Sequence, residues 1–153
     1  MPPSEQPIRE RIERAMATRL AAISAGSVYW TTPALITRAL LAPDQYKAEL
    51  AIGPVLGVMR SSGNPGSVLE LGREASADMD EHHVSVWGYV LGRPDLLAGD
   101  VLNRLWQDVT VCLLADSTLG GLVIDLRPEG AMETDGGVLE PQAWFRQHWL
   151  ATS

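Results

Sequence analysis

Apolar residues recur along this chain with two different periods, and each predicts its own kind of element. Over residues 7–24, Ile8, Ile12, Met16, Leu20 and Ile23 follow at intervals of four, four, four and three, with Arg9, Glu10, Glu13, Arg14 and Arg19 on the other faces. That spacing lines one side of an α-helix. Pro7 suits its first turn, where a missing N–H costs nothing, and Gly26 suits a left-handed stop. Residues 95–115 repeat the pattern over a broader face: Leu97, Val101, Leu105, Val109 and Cys112 form the stripe, and Leu102, Trp106, Leu113 and Leu114 widen it. A helix this apolar is broadly buried.

The second period is two. Over residues 82–91, Val84, Val86, Gly88 and Val90 alternate with His83, Ser85, Trp87, Tyr89 and Leu91, the signature of a strand with one aliphatic and one aromatic-polar face. The valine face is expected beneath the helices, which leaves Trp87 and Tyr89 on the far side, needing cover from a loop, a second layer or another subunit. Shorter β-like runs occupy residues 34–41 and 55–60, bounded by Pro33, Pro43-Asp44 and Gly53-Pro54, with a helical turn expected over 44–50. Residues 61–67 have loop composition, 68–71 read as one arm of a hairpin, and an acidic connector runs over 73–81. Residues 121–127 read as a strand, 128–141 as an acidic loop and 142–150 as a last strand with Phe145 and Trp149 on one face, the two strands pairing as a wide hairpin.

These elements predict a single α+β domain spanning residues 1–153: a mixed, mainly antiparallel sheet of about four to five strands, two principal helices on one face, and a protruding hairpin or loop. With 153 residues the chain is long enough to bury a full core. Its one cysteine, Cys112, allows no internal disulfide and sits on the buried stripe of a helix, so it reads as core rather than nucleophile. The first residues carry neither the basic nor the apolar region of a signal peptide, and no window reaches a membrane span, so a cytosolic, membrane-free protein is expected. A net charge of −7 opposes general attraction to phosphate backbones.

Candidate chemistry is sparse. His82 and His83 lie near Asp78, Asp80 and Glu81, but adjacent strand residues point to opposite faces and do not share a metal readily. His148 stands apart in the last strand. Gly120-Gly121 and Gly136-Gly137 fit neither a phosphate loop nor a dinucleotide fingerprint. No pair of carboxylates is fixed by a regular element, so no catalytic residue, metal ligand or cofactor is expected. A small metal-binding enzyme using His82, His83 and nearby carboxylates, or an unrelated adaptor domain, are the competing readings.

The most distinctive stretch is the turn Asp116-Ser117-Thr118-Leu119-Gly120-Gly121-Leu122. Asp116 and Ser117 can recapture backbone groups at the helix end, Leu119 can fold back onto the apolar face, and Gly120-Gly121 can take positive φ, giving a sharp reversal from helix to strand. Three stretches carry a resemblance: residues 8–24 leading into Val28-Tyr29-Trp30, the strand 83–91, and residues 108–122 with this turn. With the element order, they make the chain resemble the tail terminator proteins of long-tailed bacteriophages, the minor tail protein U-like family.

That resemblance implies a non-enzymatic virion subunit, assembled in the host cytoplasm and located in the tail or neck of a phage or gene transfer agent. It implies a homo-hexameric ring that caps the tail tube, halts tube polymerisation and docks the head-tail connector, with double-stranded DNA passing through unbound. A head-tail joining or tail completion protein of the neck is the neighbouring alternative. For interfaces, expectation falls on Arg11 and Arg14 of the first helix, the aromatics Trp87 and Tyr89, and the acidic stretches holding Asp78, Asp80, Glu81, Glu133 and Asp135. The basic helix would meet a neighbour's acidic loops, a heterologous contact of the kind that closes rings. Acidic loops facing a lumen would keep duplex DNA from sticking.

Overall fold

The computed structural model describes residues 6–39, 43–61, 80–136 and 141–153. In chain order they form α1 (Ile8–Leu20), β1 (Leu35–Thr37), a 3-10 turn (Pro43–Tyr46) running into α2 (Lys47–Ile52), β2 (Val55–Arg60), β3 (Glu81–Leu91), α3 (Ala98–Leu114), β4 (Asp125–Thr134) and β5 (Gln142–Thr152). The strands make one five-stranded sheet in the order β1-β2-β3-β5-β4. Its β1–β2 pair is parallel and the rest are antiparallel, so the fold is the mixed, mainly antiparallel α+β class that the hydrophobic pattern predicts.

The period-two alternation decides which face is which. Leu56 and Val58 of β2, Val84, Val86 and Val90 of β3, and Phe145 and Trp149 of β5 join Ile12, Met16 and Leu20 of α1 and Leu105 and Val109 of α3 in one core. Burying a side chain of this size contributes roughly 1.5–3 kcal/mol each relative to exposure. Cys112 is buried in the same core, its thiol donating to the carbonyl of Arg19 at 3.1 Å, and burial pushes that thiol's pKa up. Gly88 lies opposite Phe145 in the β3–β5 register, and a Cβ there would sit 2.2 Å from Cε1 of the Phe145 ring. The ring therefore occupies the space that the glycine leaves.

Trp87 and Tyr89 point to the far side, as the alternation requires. Tyr89 is covered by the 3-10 turn and α2, packing with Tyr46, Leu50 and Val55, its ring centroid 6.5 Å from that of Tyr46. The cover comes from the segment between β1 and β2.

Several boundaries differ from expectation. α1 ends at Leu20 rather than near residue 24. Ala21 caps it in right-handed conformation, and Ala22 and Ile23 donate to Arg19 and Leu20, returning Ile23 to the core. Gly26 takes no left-handed φ. β1 is three residues long instead of eight, because the Thr37 hydroxyl accepts the Ala39 N–H at 3.0 Å and turns the chain away. α3 begins at Ala98, after a tight turn in which Arg93 and Leu96 exchange backbone hydrogen bonds around Pro94.

The largest correction concerns β4. Residues 121–124 are turn and bend, and the strand runs through most of the expected acidic loop, pairing Asp125 with Thr152 and, past a bulge between Glu129 and Glu133, Thr134 with Phe145. Pro128 is tolerated because β4 is the outermost strand, where an N–H has no ladder partner to find. The expected hairpin arm at 68–71 and the connector over 73–79 lie outside the described residues.

Candidate functional site

Two features gather several of the residues singled out from the sequence: the turn after α3 and the outer face of the sheet. The turn begins where α3 runs out of partners. The carboxylate of Asp116 accepts the Thr118 N–H at 3.1 Å, the Thr118 hydroxyl at 2.6 Å and the Gly120 N–H at 2.8 Å. Those bonds, the Thr118 hydroxyl first, hold the carboxyl below its ordinary range. Leu119, Gly120 and Gly121 then take φ values of 50°, 72° and 89° in succession. A non-glycine residue in that region is strained, and Leu119 is held there because its side chain is buried in the core. Val123 closes the loop by donating to the Thr118 carbonyl at 3.0 Å. Ser117 is partly buried, and Asp116 makes the captures expected of the pair.

A second anchor lies on α3 itself, at Asp108, eight residues before Asp116, where the sequence reading placed no such role. Asp108 is 1% exposed, and its carboxylate accepts the Trp30 and Thr31 N–H groups at 3.0 and 2.8 Å and the Thr31 hydroxyl at 2.6 Å. It binds the segment that follows α1 to the middle of α3. The sequence did carry a signal: Leu105, Asp108 and Cys112 follow at three and four, so a carboxylate interrupts an apolar stripe. A buried charge at such a position needs donors, and a loop supplies them.

On the outer face of the sheet, a ladder of polar and aromatic side chains crosses β3, β5 and β4. Trp87 packs against Trp144 with ring centroids 5.7 Å apart, and the Arg146 guanidinium lies 5.0 Å from the Trp87 centroid. Arg146 also donates to Glu133, whose other oxygen lies 3.4 Å from Nε2 of His148. The Arg146 hydrogen bond, with His148 adding, lowers the Glu133 pKa. Nδ1 of His148 in turn lies 2.9 Å from the Ser85 hydroxyl. A serine, an imidazole and a carboxylate thus stand in line, but the Ser85 side chain is mid-strand and the residue is 3% exposed, which suits a structural hydrogen-bond relay. His83 makes a parallel crossing, its Nδ1 2.7 Å from Glu129.

Of the residues expected at interfaces, Arg11 is exposed on α1 and Arg14 is engaged by Glu10 at 3.0 Å, one turn away. Trp87 and Glu133 are brought together through Arg146, whereas Tyr89 is buried beneath α2 and is no surface group. Asp135 accepts the Trp144 N–H at 3.1 Å, which fastens the β4–β5 connection. Glu133 lies in a paired strand, not in a free loop able to reach a neighbour. Asp80 exchanges backbone bonds with Ser153 and Glu81 opens β3 opposite Thr152, both side chains being exposed, while Asp78 lies outside the described residues.

His82 and His83 do part to opposite faces. His82 meets the Ser153 hydroxyl at 3.0 Å, and burial, then Arg9, lowers its pKa. Among the described residues no three His, Cys, Asp or Glu side chains are arranged to hold a metal ion. No helix of the described residues is long and apolar enough to cross a membrane. No protein-family model matches the chain, and no curated protein matches it in sequence.

Proposed function

We propose that this protein is a structural subunit of a phage or gene transfer agent tail: a tail terminator that assembles as a ring on the tail tube, stops tube growth and offers the head connector its docking surface. It acts by binding rather than by catalysis, resides in the virion tail or neck, and lets DNA pass without holding it. The observation that supports this reading is how two of the resembling stretches meet. The α1 segment reaching Trp30 and the α3 segment from Asp108 are locked together by the buried Asp108 carboxylate, and Arg19 and Cys112 exchange bonds beside it. The sequence likeness thus falls on one packed unit, ending in the Asp116 turn, rather than on scattered surface positions.

Adding the purified protein to polymerising tail-tube subunits tests it. Tubes of bounded length with a ring at one end are expected. Unlimited tube growth with the protein left unbound overturns the proposal. Binding to the connector without any effect on tube length favours the neighbouring role of head-tail joining or tail completion. Charge reversal at Arg11 and Arg14 should weaken ring assembly if α1 contributes to the subunit contact.

A further inference from the structure

At the end of the sheet where β3 leaves for α3, the Trp30 loop, the end of α2 and the turn after β3 enclose a cleft of about 450 Å³. That volume falls within the range of binding pockets. Its walls combine two kinds of group. Leu50, Val90, Leu96 and Val101 make an apolar floor, and Arg93 and Arg104 bring two guanidiniums to the same cleft.

Neither arginine is neutralised in the usual way. Arg104 lies 4.5 Å from the centroid of the Trp30 ring and has no carboxylate partner among the described residues. Arg93 has Asp95 at 3.9 Å, both side chains being largely exposed, and such a pair contributes little. The Arg104 guanidinium rests over a tryptophan whose backbone N–H is held by Asp108, and a guanidinium beside an aromatic ring keeps N–H donors that suit a carboxylate. At the rim stand two large apolar residues turned to solvent, Ile52 at 82% and Trp30 at 57% exposure. Tryptophan, arginine and isoleucine around a concavity make the composition of an interaction hot spot.

We infer that this cleft is a docking site for an acidic-apolar peptide segment of a partner protein, which places a carboxylate on Arg104 and Arg93 and an apolar side chain on the floor between them. A free phosphate would meet the guanidiniums and leave Ile52 and the floor uncovered. A nucleic-acid backbone brings many phosphates toward a chain of net charge −7, whereas a peptide with one or two carboxylates meets only the local arginine pair. The site stands independently of the ring reading, since a failure of tube capping would not touch it.

Fluorescence polarisation with a labelled peptide of alternating glutamate and leucine tests the proposal, against the same peptide with glutamine for glutamate, a glutamate-serine peptide, inorganic phosphate and duplex DNA. The glutamate-leucine peptide is expected to bind with a Kd of about 10–100 μM, and R104Q, R93Q and I52S each to weaken it by about tenfold. The Arg93 side chain is 59% exposed, so R93Q keeps the test valid if R104Q disturbs folding. Absence of peptide binding at millimolar concentration overturns the inference. So does equal binding of the glutamine or serine controls, preference for phosphate or duplex, or affinity unchanged in R93Q and I52S.

Discussion

The carboxylate of Asp108 holds Thr31 from two sides, taking its hydroxyl at 2.6 Å and its N–H at 2.8 Å. Removing the acceptor strands those donors and the Trp30 N–H at a site where Asp108 and Thr31 are both buried. Asp108→Ala should therefore destabilise the protein by about 3 kcal/mol, and Asp108→Asn by less, because the amide keeps one accepting oxygen. Urea unfolding measures both. A loss under about 0.5 kcal/mol for the alanine variant would show that the clamp is dispensable.

Gly88 has no room for a methyl group while Phe145 stands opposite. Gly88→Ala should cost about 2–3 kcal/mol, since the ring and the two central strands must shift together. Phe145→Leu alone should also destabilise. The double variant should lose less than the sum, and a strictly additive result in a double-mutant cycle would mean the two sites do not press on each other.

Asp116 ties stability to acidity. Its pKa is lowered in the folded chain, so its contribution is fully present above the unfolded value and is lost as pH falls through the folded one. Asp116→Asn should melt below the native protein at pH 7, with the gap closing as pH falls from the ordinary aspartate range through the lower folded value. A gap of constant size across that window would place the effect of the substitution elsewhere.

Arg146 serves two partners at once, the Glu133 carboxylate and the Trp87 ring. Arg146→Met should let the Glu133 pKa rise toward the ordinary carboxylate range in an NMR titration, and should alter Trp87 emission in the same variant. A Glu133 titration that stays where it was would assign the lowering to His148, the weaker of the two partners.

The helices and the inner strands were legible because each repeats its period over enough residues to be read locally. The α3 stripe from Val101 to Cys112, the valine face of β3 and the Phe145–Trp149 face of β5 emerged as their periods required, whereas Leu97, which precedes the helix, and Leu114 at its end are exposed. β4 was not legible, since Pro128, Glu129, Gly130 and Glu133 carry the composition of a loop. An edge strand bulged at its middle is held by pairing to residues up to 27 positions away, such as Asp125 with Thr152, and pairing of that kind leaves no local pattern. The outer-face ladder was hidden for the same reason, because Ser85, Glu133 and His148 become neighbours only through register. The Arg93–Arg104 cleft is formed by loops and helix ends from four parts of the chain, and none of its residues stands out from its own surroundings.

The strand order carries a consequence for how this chain comes to be made. β5 lies between β3 and β4, although both precede it in sequence. During synthesis the two earlier strands therefore emerge with a vacant lane between them, and β3 keeps one side of its hydrogen-bonding groups unpaired until residues 142–152 leave the ribosome. The sheet is finished by insertion rather than by addition at a margin. A chain halted before Gln142 leaves that side of β3 without its partner strand, and an unpaired edge of this kind is a template for foreign strands.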